Sequence, residues 1–115
     1  MLGEKFSFND IEYEIKRNVS FGEYKKISRL STLLQEILSD YNNASDEKKI
    51  NLSRQFSKAI DQKLQMTTDF LESVLGLTQI DIDNLSCNSA SELFDIALIN
   101  STTVKKKSEI ISDSQ

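Results

Sequence analysis

Cys87 and the acidic run Asp81-Ile82-Asp83-Asn84 are the residues whose types could do chemistry, and neither has the partners that chemistry needs. A cysteine nucleophile works as its thiolate, usually formed by a neighbouring histidine, and the chain contains no histidine at all. The same absence removes the commonest metal ligand and the usual general base near neutral pH. Asp81 and Asp83 sit at the first and third places of a calcium-loop pattern, and Glu92 fills the twelfth. Leu85 at the fifth place and Ser86 at the sixth, where a glycine must make the turn, spoil that register. Helix capping accounts for these acids without a metal. The glycines stand at positions 3, 22 and 76 only, so no phosphate-cradling loop can be assembled from them. An enzyme is not expected, nor any cofactor.

The elements that carry these residues follow from apolar spacing. Phe6, Phe8, Ile11, Tyr13 and Ile15 alternate with polar neighbours around Asn9-Asp10, which predicts a short β-hairpin over about residues 5–16. Ser20-Phe21-Gly22-Glu23 reads as a capping box, with Val19 before it as a hydrophobic staple. Tyr24, Ile27, Leu30, Leu34, Ile37 and Leu38 then recur at helical steps, Leu33 widens their stripe, and the helix should end near Asp40. Ser45 is the next N-cap. Leu52, Phe56, Ile60, Leu64, Leu71, Val74 and Leu75 mark one face of a long helix that stops at Gly76 and has room for a kink at Thr67-Thr68.

Thr78-Gln79-Ile80-Asp81 is an acidic capping box for a short helix reaching Leu85. Ser86-Cys87-Asn88 breaks it, and Ser89-Ala90-Ser91-Glu92 opens a last helix, with Ala90, Leu93, Phe94, Ala97 and Leu98 on its apolar stripe. From Thr103 the pattern is lost. The predicted architecture is mainly α: an N-terminal β-hairpin, a three- to four-helix bundle forming a single domain over 1–103, and a flexible C-terminal tail over 104–115. A chain of 115 residues without proline fits one such domain with long uninterrupted helices.

Charge and surface then limit the partners. A net charge of −4 disfavours phosphate backbones, leaving the helix expected to contain Arg17, Lys25, Lys26 and Arg29 as the only candidate basic face. Lys105-Lys106-Lys107 reads as solvated charge. With one cysteine no intrachain disulfide forms, MLGEKFSFND has no apolar run of signal-peptide length, and no stretch approaches the roughly 20 apolar residues of a membrane helix. A cytoplasmic protein is expected, without nucleic acid or membrane. What the pattern leaves over is apolar. Met66 and Phe70 lie off the centre of the second stripe, beside Phe94, Ile96 and Ile99 of the last helix. They either thicken the core or form a face that receives an apolar partner segment. These five residues are the candidate partner-binding positions.

FSFNDIEYEIKRNVSFGEYKKI, a hairpin followed by a capped helix, resembles the start of the small tail assembly chaperones of long-tailed bacteriophages. DFLESVLGLTQIDIDNLSCNSASELFDIAL is similar to their second half: a helix ending near glycine, a Leu-Thr-acidic turn, then an amphipathic helix. The resemblance implies a non-enzymatic virion-assembly protein of the host cytoplasm. Such a protein binds apolar segments of the tape measure and tail tube proteins and keeps them soluble until the tail polymerises. It also implies a short and a frameshifted long form, for which an A-run encoding Lys105-Lys106-Lys107 would be the slippery site. Assembly with further copies of itself stays open. Two other classes fit the same residues: a structural virion component (a head–tail connector or minor tail protein) and a small regulatory DNA-binding module.

Overall fold

The computed structural model describes residues 2–102. Its elements are β1 (Lys5–Phe8), β2 (Ile11–Glu14), α1 (Phe21–Asn42), α2 (Asp46–Leu75), α3 (Gln79–Asp83) and α4 (Cys87–Ser101). The chain is thus mainly helical with an N-terminal antiparallel hairpin, as its periodicities predict. The tail expected over 104–115, with its three lysines, lies outside the described residues. Length suggests one domain over 1–103; by their internal contacts the described residues gather into two compact units, 2–19 with 67–102, and Ser20–Met66. Thr67 and Thr68, the place for a kink in the long helix, are both helical residues of α2.

In the first unit the hairpin pairs Lys5 with Glu14, Phe6 with Tyr13, Ser7 with Glu12 and Phe8 with Ile11. Asn9 (φ 50°) and Asp10 (φ 65°) both occupy the left-handed region. That is the requirement of a two-residue type I′ turn, whose backbone twist matches the strands. Asn and Asp tolerate this conformation better than other L-residues, which is how the hairpin closes without glycine. Alternation places Phe8, Tyr13 and Ile15 inward, and Ile15 is fully buried.

The N–H of Lys16 donates to the Val74 carbonyl at 2.6 Å, and the Arg17 guanidinium donates to Ser73 Oγ at 2.8 Å. Val74 is within the last turn of α2, whose carbonyls have no helical partner, so the strand's continuation satisfies one of them. Gly76 (φ 71°) ends the helix in the left-handed conformation, as the stop signal required. Phe70, Leu71, Val74 and Leu75 from α2, Ile82 from α3, and Leu93, Phe94 and Ala97 from α4 make up the buried interior of this unit with the hairpin residues.

Both capping partners of α3 are in place: Thr78 Oγ1 accepts from the Asp81 N–H (3.2 Å), and Asp81 Oδ2 accepts from the Thr78 N–H (3.3 Å). This helix stops at Asp83, with Asn84 as its C-cap, two residues short of Leu85. The start of α4 corrects the sequence reading. Ser86, not Ser89, is the N-cap: Ser86 Oγ accepts from the Ser89 N–H at 3.1 Å, and Cys87 and Asn88 are the first helical residues. Serines three apart offer equivalent caps by type. The short loop after α3 leaves the chain extended at Ser86 (φ −67°, ψ 159°), which is the geometry a cap needs.

In the second unit Ser20 Oγ accepts from the Glu23 N–H at 3.1 Å and starts α1, as the capping box predicts. The helix runs to Asn42, two residues past Asp40. Asn43 closes it, its side-chain amide donating to the Ser39 carbonyl. α2 begins at Asp46, with Asp46 and Glu47 in its positive first turn. Leu30, Leu34, Ile37 and Ala59 are the core of the α1–α2 hairpin, with Phe56, Ile60 and Met66 packed against it half-buried. Leu64, placed on the buried stripe by its spacing, is 60% exposed. Each step of four overshoots a turn by about 40°, so Leu52 to Leu64 carries the series about 120° round the helix. The residues that do pack, Phe56, Ala59, Ile60 and Met66, keep within an arc of about 120°, and Leu64 lies about 40° outside it.

Candidate protein-docking surface

Of the five candidate partner-binding residues, the structure removes two from any surface. Phe70 is 2% and Phe94 5% exposed, and their rings meet edge-to-face with centroids 4.8 Å apart. Of the two readings the spacing leaves open, core or contact face, these two rings take the core position. Phe70 continues the path from Met66 by four residues and arrives on the packed side of α2. Phe94 belongs to the stripe of Leu93 and Ala97. Met66 and Ile96 are half-buried, and Ile99 is 58% exposed. Met66 is packed in the second unit and Ile99 lies on α4 of the first, so the five do not constitute one described face.

The exposed apolar side chains are instead concentrated on α1. Phe21 is 74% exposed, and Tyr24, Leu33, Leu38 and Tyr41 each exceed a third. At 100° per residue, Leu33 lies about 80° to one side of the buried stripe, and Leu38 and Tyr24 about 60–100° to the other. They therefore flank the packed seam. Three- and four-residue spacing placed Tyr24 and Leu38 on the same stripe as the buried residues; their cumulative angles from its centre are what could have separated them. Two rings are partly covered by cations, Phe21 by the Lys25 ammonium at 5.1 Å and Tyr41 by that of Lys49 at 5.3 Å. On α2, Ile50 and Leu64 are each 60% exposed.

Between α1 and α2, within the second unit, is a shallow groove of about 460 Å³ lined by Lys26, Arg29, Leu30, Leu33, Gln62 and Met66. Leu30, Leu33 and Met66 supply its apolar lining, and Lys26 and Arg29 are its charged residues. A second recess, at the turn joining the helices, is lined mostly by polar groups such as Asp40, Asn43, Ser45 and Asn51. Arg17, grouped with the basic residues of α1 in the sequence, lies before that helix and bonds Ser73 in the first unit. The candidate basic face is thereby reduced to Lys25, Lys26 and Arg29.

The chemically capable groups are dispersed. Cys87 is exposed in the first turn of α4. Among the described residues no three His, Cys, Asp or Glu converge as a metal cluster, and no helix is long and apolar enough to cross a membrane. Among the described residues, Tyr13 has a displaced titration. Burial, and secondarily the negative charge of Asp81, raise its phenol above the ordinary value of 10.0. The described surface offers apolar side chains on α1, with cations beside them. Compared with known proteins, the chain matches no family model, no curated protein and no solved structure.

Proposed function

We propose that this protein is a non-enzymatic adaptor, of the tail-assembly-chaperone type, that binds apolar segments of a larger protein and keeps them soluble during assembly. One observation carries the protein-binding class. On α1, Phe21, Tyr24, Leu33, Leu38 and Tyr41 all remain exposed although that helix already buries Ile27, Leu30, Leu34 and Ile37. Large apolar side chains held on a helix beyond what its own packing uses are the usual substrate for docking an amphipathic partner. The net charge of −4 would keep a complex soluble while such surface is occupied. The assignment to phage tails rests on the resemblance of FSFNDIEYEIKRNVSFGEYKKI and DFLESVLGLTQIDIDNLSCNSASELFDIAL to that family.

Co-expression of the full chain with the tape measure protein of the same genome tests the reading. A soluble complex is expected, with the tape measure protein aggregating when expressed alone. An unchanged soluble yield, with no co-purification of either the tape measure or the tail tube protein, would overturn it. Stoichiometric presence of the chain in purified virions would instead favour a structural component.

A further inference from the structure

We infer that the α1–α2 groove of the second unit is a docking site for an acidic, apolar helical segment: one that seats large aliphatic side chains between flanking carboxylates. The inference rests on the protein-binding reading above and specifies the chemistry of the partner. Leu30, Leu33 and Met66 contribute the groove's apolar lining, with Gln62 beside them and Lys26 and Arg29 on the α1 side. Leu33 is 43% exposed there and Met66 half-buried, so both can still lose water to an occupant.

The cations decide which occupant. The chain has 18 acidic residues to 14 basic ones, yet the charges of this groove are Lys26 and Arg29. Neither is engaged in an ion pair among the described residues. The cation–π contacts of α1 and α2 use Lys25 and Lys49 instead. Lys26 and Arg29 are three apart and so lie on the same side of α1, one turn from each other. Carboxylates three or four residues apart on a helical partner match that spacing, and the aliphatic side chains between them would face Leu33 and Met66. A second copy of this chain would offer Glu36 and Asp40 of α1, or Glu92 and Asp95 of α4, at this spacing, and concentration dependence without peptide distinguishes it from a partner helix. Nucleic acid would place phosphate against an apolar floor with two cations to hold it, in a chain of net negative charge.

The test uses the full chain and two synthetic helical peptides with the same leucine repeat, one with glutamate and one with lysine at the flanking positions. Binding is followed by NMR through the Leu33 and Met66 methyl groups. The glutamate peptide should shift both methyls and bind about tenfold more tightly than the lysine peptide, the effect of two exposed ion pairs. The double variant Lys26→Glu/Arg29→Glu should reverse that preference, and Leu33→Asp should abolish binding of both. All three substitutions are at exposed positions, and circular dichroism checks that each variant stays folded.

Equal affinity for the two peptides, shifts confined to other residues, or no binding overturns the inference. So does concentration-dependent shifting of these methyls without peptide, which would identify a second copy as the occupant, or displacement of the peptide by single-stranded DNA. If the charge-reversed variant still co-purifies with the tape measure protein as the unaltered chain does, the groove fails and the adaptor reading stands. If the unaltered chain binds no tail protein but discriminates the peptides, the groove stands and the phage assignment falls.

Discussion

The ring of Phe70 stands edge-on to that of Phe94, 4.8 Å between centroids at 68°, and ties the end of α2 to the middle of α4. Both are nearly inaccessible to water. Phe70→Ala should therefore destabilise the first unit by about 3–5 kcal/mol, from lost burial and the cavity left behind. A double-mutant cycle with Phe94→Leu should give a coupling of about 0.5–1.5 kcal/mol beyond the separate losses. Urea unfolding followed by far-UV circular dichroism measures both. A loss under 1 kcal/mol for Phe70→Ala would contradict the packing.

Gly76 adopts φ 71°, and a Cβ there would meet the aliphatic carbons of Lys16 at 3.4–3.5 Å. That approach is ordinary contact with a flexible side chain, so backbone conformation dominates the cost of substitution. Gly76→Ala should lose about 1–2 kcal/mol. Gly76→Asn should lose less, because asparagine accepts the left-handed region. Removing the neighbouring side chain by Lys16→Ala should not rescue Gly76→Ala. Rescue would instead identify a steric clash as the cause.

Ser86 and Ser89 are distinguishable although both stand near the start of α4. Ser86 Oγ accepts from the Ser89 N–H, so Ser86→Ala should cost about 1 kcal/mol. Ser89→Ala keeps the N–H that is capped and replaces serine with a better helix former, and should be neutral or slightly stabilising. Thermal melts of the two variants check the order; the reverse order would move the cap to Ser89.

Tyr13 predicts an alkaline response. Its phenol is raised above 10.0 first by burial and then by Asp81, so the folded state holds this proton to higher pH than the unfolded chain does. Between the two values the unfolded state binds fewer protons, and stability falls as pH rises. The contribution should be complete below pH 10.0 and decline above it as the pH approaches the folded-state value. Tyr13→Phe should flatten that part of the stability profile, and Asp81→Asn, by lowering the folded-state value, should make the decline shallower and end it at lower pH. Ultraviolet titration of the phenolate together with denaturant midpoints from pH 9 to 11 reads both, and identical profiles for Tyr13→Phe and the unaltered chain would refute the assignment.

Much of the fold is legible because its signals are local. Alternation around Asn9-Asp10, the Ser20 and Thr78 caps and the Gly76 stop each act within a few residues, so type and spacing determine where elements begin and end. The lack of histidine is likewise a property of the sequence, and it limits the chemistry before any fold is known. Which apolar residues become core is decided otherwise. Phe70 and Leu64 are both large, apolar and on α2, yet one is 2% and the other 60% exposed. A periodic pattern accommodates either assignment, because it gives relative angles on one helix and not the position of the neighbour that covers it. Only tertiary packing against Phe94 settles Phe70 inside, and only the meeting of α1 and α2 places Leu33 and Met66 in one groove with Lys26 and Arg29 at its side. Burial is a relation between segments distant in sequence, so no single stretch encodes it.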